Sequence, residues 1–138
     1  MAEGVDSLSA ETRNLLRSEM LALDQGLKVL FTEYYSGNFV EVASIAKEIE
    51  NSFILKKQLT QEQKHELHSV LPVAFLELDK TFHYNAGMLA HAAEKQKVEL
   101  VDFYFSELTK GCLACHSQYA QERFKGISEA NDEAHGHH

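Results

Sequence analysis

Long stretches of the chain repeat apolar residues at steps of three and four, and no segment alternates apolar and polar residues at a step of two. The first such run predicts a helix from Ala10 to Ser36, with Leu16, Met20, Leu23, Leu27, Leu30 or Phe31, and Tyr34 on one face. Ser9 is its N-cap, Leu8 a staple residue and Gly37-Asn38 its stop. A second helix, beginning near Asn38, turns Phe39, Val42, Ala46, Ile49 and Phe53 inward. The connecting stretch "ILKKQLTQEQKHELHSVLP" holds a capping-box pattern at Thr60 and Gln63, which predicts a short helix ended by Pro72. A third long helix starts at Pro72 and runs to about Glu94, with Phe75, Leu78, Phe82, Ala86, Leu89 and Ala93 inward. After the polar break "EKQK", the last runs from about Val98 to Phe124, its stripe made of Val101, Phe105, Leu108, Cys112, Cys115 and Tyr119.

Each apolar face must be covered by another helix, so the pattern predicts an all-α chain folded as an antiparallel four-helix bundle. Residues 1–126 form its single domain. Residues 127–138 lack an apolar stripe and read as a polar, His-containing tail.

Composition narrows the function. At 44% hydrophobic and 25% charged, the chain reads as a soluble globular protein. No apolar run approaches the ~18 residues that span a bilayer. Thirteen Lys and Arg against twenty-one Asp and Glu leave a formal charge of −8, which disfavours nucleic acid and suits a partner with a basic docking surface. The start "MAEGVDSLSAETR" carries no visible export signal.

Both cysteines fall in "GCLACHSQYA", residues 111–120. At about 100° per residue, Cys112, Cys115 and His116 share an arc of about 100° on the inward face of a helix. That arrangement suits covalent haem attachment: two sulfurs one turn apart meet the two vinyl groups of a porphyrin, and the adjacent imidazole reaches the iron. Phe105, Leu108, Tyr119 and Phe124 would wall such a cofactor.

Three other readings stand beside it. A thioredoxin-like dithiol sits at a helix start after a strand, whereas this pair lies inside a helix. A zinc site needs two more ligands, for which His65 and His68 are available. Buried structural cysteines leave His116 on the inward face without a role.

The late C-x-x-C-H, together with "FHYNAGMLAHAA" in the third long helix, "CLACHSQYAQERF" in the fourth and an arginine-bearing first helix, resembles the cytochrome c′ family. These are four-helix-bundle c-type cytochromes, including low-spin members of the cytochrome c556 type. The resemblance covers about residues 9–125 and implies one covalently bound haem c near the C-terminal end of the last long helix. Carried over by position, Cys112 and Cys115 form the thioethers and His116 is the proximal iron ligand. The opposite haem face is then covered from the first helix, where Met20 is the methionine that would ligate the iron. Met20 stands three after Arg17, whereas the family's usual spacing of four selects Leu21. Arg13, Arg17 and Arg123 are the propionate candidates.

The sixth ligand separates two functions. With His116 and Met20 both bound the protein is an electron carrier; with Leu16 or Leu21 guarding an empty position it binds NO or CO. No catalytic base or nucleophile accompanies the motif, so a substrate-converting enzyme is not expected, and a cofactor-free adaptor bundle is the third class. His83 and His91 are further ligand candidates. The pairing of His83 with Asp79 one turn earlier reads as a helix-surface contact, and His91 lies off the stripe. His65, His68, His135, His137 and His138 read as surface residues. The resemblance further implies a bacterial periplasmic location, redox partner proteins, and a homodimer formed through the first two helices, where Phe31, Tyr34 and Tyr35 are contact candidates. Bundle core is the default expectation for at least two of those three.

Overall fold

The computed structural model describes residues 7–52, 59–119 and 126. Its helices are α1 (Ala10–Tyr35), α2 (Phe39–Asn51), α3 (Gln61–Val70), α4 (Val73–Glu94) and α5 (Val98–Tyr119), with no strand among the described residues. The third and fourth long helices expected from the pattern are thus α4 and α5. No helix among the described residues is long and apolar enough to cross a membrane. Phe53, Arg123, Phe124 and the tail histidines lie outside the described residues.

Local chemistry sets the helix ends. The Ser9 hydroxyl accepts the Thr12 amide at 3.3 Å, starting α1 over the buried Leu8. Glu66 of α3 braces this corner, accepting hydrogen bonds from the Ser9 amide, the Ser9 hydroxyl (3.0 Å) and the Thr12 hydroxyl (2.7 Å). At the far end of α1, Gly37 at φ +75° lets its amide reach Tyr34 O at 3.1 Å and the Asn38 amide reach Glu33 O at 3.0 Å. Those two bonds form a Schellman stop, which needs a left-handed residue. The end of α4 repeats the motif, with Gln96 at φ +53° in the glycine position. The capping box of α3 is present, Gln63 N to Thr60 Oγ1 at 3.1 Å and Thr60 N to Gln63 Oε1 at 3.0 Å. Pro72 stands one position earlier than expected, as the N-cap of α4 and not in its first turn.

Packing follows the predicted stripes and joins the helices as in a helical bundle. The carbonyl of Ile49 on α2 meets His83 on α4, while Val40 and Ala43 lie beside Ala93 and Glu94, so α2 and α4 run in opposite directions. Phe75 contacts Tyr119 and Phe82 lies against Gly111, so α4 and α5 also oppose one another. Small buried residues on both sides of the α2–α4 seam, among them Ala43, Ala46, Ala86, Gly87 and Ala90, let the two backbones approach closely.

Two apolar clusters result. The larger joins Leu23 and Leu30 of α1, Val42 and Ile49 of α2, Phe82 and Leu89 of α4, and Val101 and Leu108 of α5. The smaller gathers Leu8, Leu16, Leu67, Leu71 and Phe75 where α1, α3 and α4 begin or end.

Two stripes differ from expectation. On α4, Leu78 is only half-buried while Asp79 and His83 take inward places. The deepest line of α1 is Thr12, Leu16, Glu19, Leu23 and Leu30, so a glutamate takes the central position and Met20 flanks it, half-buried. Phe31 is 51% exposed and Tyr35 65% exposed, so the core expectation fails for both. Only Tyr34 turns partly inward, where its ring stacks on Phe105 with centroids 4.4 Å apart.

Candidate haem site and a buried titratable group

Cys112, Cys115 and His116 lie in the last turns of α5, and all three are half-buried. The two sulfur-bearing residues divide between the clusters: Cys112 packs on the larger and Cys115 on the smaller. Met20 packs on both. Tyr119 stands next to Cys115 in the smaller cluster, its ring edge-on to Phe75 at 5.2 Å. Phe105 is two turns away toward the start of α5, its ring taken up by the stack on Tyr34.

Burial sets the protonation of these groups. It pushes the Cys112 thiol up, and it pushes Cys115 up to about 11, helped by the nearby charge of Asp79 and by Cys112. Both sulfurs are therefore thiols at neutral pH, the opposite of the activated thiolate that a redox dithiol requires. Burial also lowers His116, which favours the neutral imidazole, the form that binds a metal. Two thiols, a neutral imidazole and a thioether in apolar surroundings fit the donor set of a covalently held haem.

The rival zinc reading finds no such fit. His65 and His68 are exposed on α3, and no group of three or more His, Cys, Asp or Glu among the described residues is arranged to hold a metal ion. Of the propionate candidates, Arg13 is half-buried and Arg17 exposed on the first turns of α1. Leu16 is buried, whereas Leu21 is 60% exposed and faces away from the core. His91 is exposed.

His83 departs most from the sequence reading. It is no surface residue: it is 3% exposed and lies between Asp79 (8%) and Glu19 (1%). Its Nδ1 is 2.6 Å from the Ile49 carbonyl oxygen, and because that oxygen can only accept, Nδ1 carries a hydrogen. Its Nε2 faces Asp79 Oδ1 at 3.4 Å and Glu19 Oε1 at 3.7 Å. A signal for this group was present in the spacing. Asp79 and His83 interleave with Phe75, Phe82 and Ala86 on the inward stripe of α4, and Glu19 sits at the step between Leu16 and Leu23.

No protein-family model matches this chain, and no curated protein or solved structure does.

Proposed function

We propose that this protein is a c-type monohaem cytochrome that carries single electrons in the bacterial periplasm, built as an antiparallel four-helix bundle of the cytochrome c′ type. The observation that carries the reading is the seat of Met20. This methionine of α1 packs on both apolar clusters, the larger of which also carries Cys112 at its edge and the smaller Cys115.

Cys112 and Cys115 would hold one haem c by two thioethers, with His116 and Met20 as the iron ligands. When bound, the haem supplies a one-electron iron couple. The chain supplies the rest. Burial delivers His116 as a neutral ligand. Leu16, Leu67 and Phe75 keep water from the Met20 side. Arg13 and Arg17 are offered to the propionates from α1. The charge of −8 selects redox partners with a basic face, and encounter with them weakens as salt rises.

The test is the visible spectrum of chain produced in a host that attaches haem to C-x-x-C-H. The expected result is a denatured chain heavier by one haem, a low-spin ferrous spectrum with sharp α and β bands, and no response to CO. A chain lacking covalent haem overturns the proposal. A high-spin ferrous spectrum that shifts with CO overturns Met20 as ligand and makes binding of NO or CO the function.

A further inference from the structure

Electron transfer as proposed above uses neither Glu19, Asp79 nor His83, yet these are the most deeply buried ionisable side chains described. Their geometry lets a proton be shared among them. With Nδ1 committed to the Ile49 carbonyl, Nε2 points at two carboxylates. An ionised carboxylate only accepts hydrogen bonds, so a hydrogen must lie on Nε2 or on one of the carboxyl oxygens for these groups to attract one another. Away from water, a carboxylate pair next to a neutral ring carries a larger desolvation cost than the same pair next to a protonated one.

The group also adjoins the candidate haem site from two sides. The charge of Asp79 is felt at Cys115, whose thiol it helps to raise. Glu19 directly precedes Met20 in α1.

We infer that His83 takes up one proton when the bound haem gains an electron, so that the protein moves a proton together with each electron; this rests on the functional reading above. An added electron lowers the local charge by one. In a desolvated interior, where charges interact more strongly than in water, that change favours a cation at Nε2. The balance is simple. One electron comes from the redox partner protein and one proton from solvent; the only bond formed is N–H at Nε2, and both particles leave on reoxidation.

Among the described residues, the groups facing the ring come from α1, α2 and α4. Glu19 faces it from α1, the Ile49 carbonyl from α2 and Asp79 from α4. From α2 the Glu50 carboxylate lies against Gly87, one turn beyond the ring. From α5, Cys115 is within reach of Asp79 and would be an uncharged thioether once haem is attached. Asp79 and Glu19, facing Nε2, favour the protonated ring.

The experiment uses the haem-bearing protein. Its midpoint potential is recorded by spectroelectrochemistry from about pH 5 to about pH 9, and the His83 ring is followed by NMR in the ferric and ferrous forms. His83→Gln and Asp79→Asn are measured alongside. The expected result is a potential that falls as pH rises through the His83 window and a ring that holds its proton to higher pH in the ferrous protein. The pH dependence should be lost in His83→Gln and moved to lower pH in Asp79→Asn. A flat potential, an unchanged slope in His83→Gln, or a ring that titrates at the same pH in both oxidation states overturns the inference. If His83→Gln does not fold, Asp79→Asn and the NMR comparison decide. A chain without covalent haem fails at the mass measurement and overturns the functional reading and this inference together, whereas a haem-bearing chain with a flat potential overturns only the proton coupling.

Discussion

His83 Nε2 lies 3.4 Å from Asp79 Oδ1, one turn earlier on α4, and both side chains are less than a tenth exposed. An i,i+4 pair of this kind on a helix surface is worth a few tenths of a kcal/mol. Inside the bundle the same pair becomes a matter of whole kcal/mol, because neither partner has water to fall back on.

His83→Leu would leave Asp79 and Glu19 in the interior with no imidazole between them. Removing one partner of a buried charged group costs roughly 3–5 kcal/mol, and urea unfolding at about pH 7 should show a loss of that order. Asp79→Asn keeps an acceptor oxygen toward the ring and should cost less. A loss for His83→Leu of under about 1 kcal/mol would mean that the three groups do not act on one another.

The same group makes stability depend on pH. Burial alone pulls His83 down, but the hydrogen bond and charge of Asp79, the Ile49 carbonyl and the charge of Glu19 outweigh it and leave the folded value raised. A raised value means that the folded chain binds the proton more tightly than the unfolded one. The resulting stabilisation is complete below the unfolded value of about 6.5 and is lost as pH rises through the folded value. Urea midpoints should therefore decline as pH rises above about 6.5 for the native chain, and this component should vanish in His83→Gln.

Glu66 works with the opposite sign. The Ser9 amide, the Thr12 hydroxyl and, more weakly, the Ser9 hydroxyl hold its carboxyl below the ordinary value, against a small desolvation effect. Its contribution is present above the unfolded carboxylate value and is lost as pH falls through the folded one. Glu66→Gln should lower the melting temperature at neutral pH, and the gap from the native chain should narrow in acid.

Met20→Leu keeps nearly the same volume, so stability should change by less than about 1.5 kcal/mol. The spectrum should change far more. Loss of the thioether predicts loss of the weak ferric band in the red and a new response of the ferrous protein to CO; an unchanged spectrum would exclude Met20 as a ligand.

Gln96 adopts φ +53° at the end of α4, where a glycine would carry no Cβ penalty. Gln96→Gly should stabilise the chain by about 1 kcal/mol in urea unfolding, with no effect on the spectrum.

How much of this was legible beforehand differs from residue to residue. The capping box at Thr60 and Gln63, the glycine stop at Gly37 and the inward stripe of α4 rest on spacing within about one turn, so the linear pattern carries them. The C-x-x-C-H motif is equally local, and its one-sided placement on α5 follows from helix periodicity alone. Which of Glu19 and Met20 takes the central line of α1 is another matter. Both fall within the arc of the apolar stripe, and a rule that places apolar residues inside chooses the methionine. Only the tertiary structure decides for the glutamate, because His83 arrives from α4 to meet its carboxylate, the ring itself held by the Ile49 carbonyl of α2. Sequence by itself determined which residues form helices and which face of each is apolar, since those depend on neighbours three and four positions away. The tertiary structure decided which polar residues could enter the core, since a buried charge is tolerated only where partners from other helices meet it.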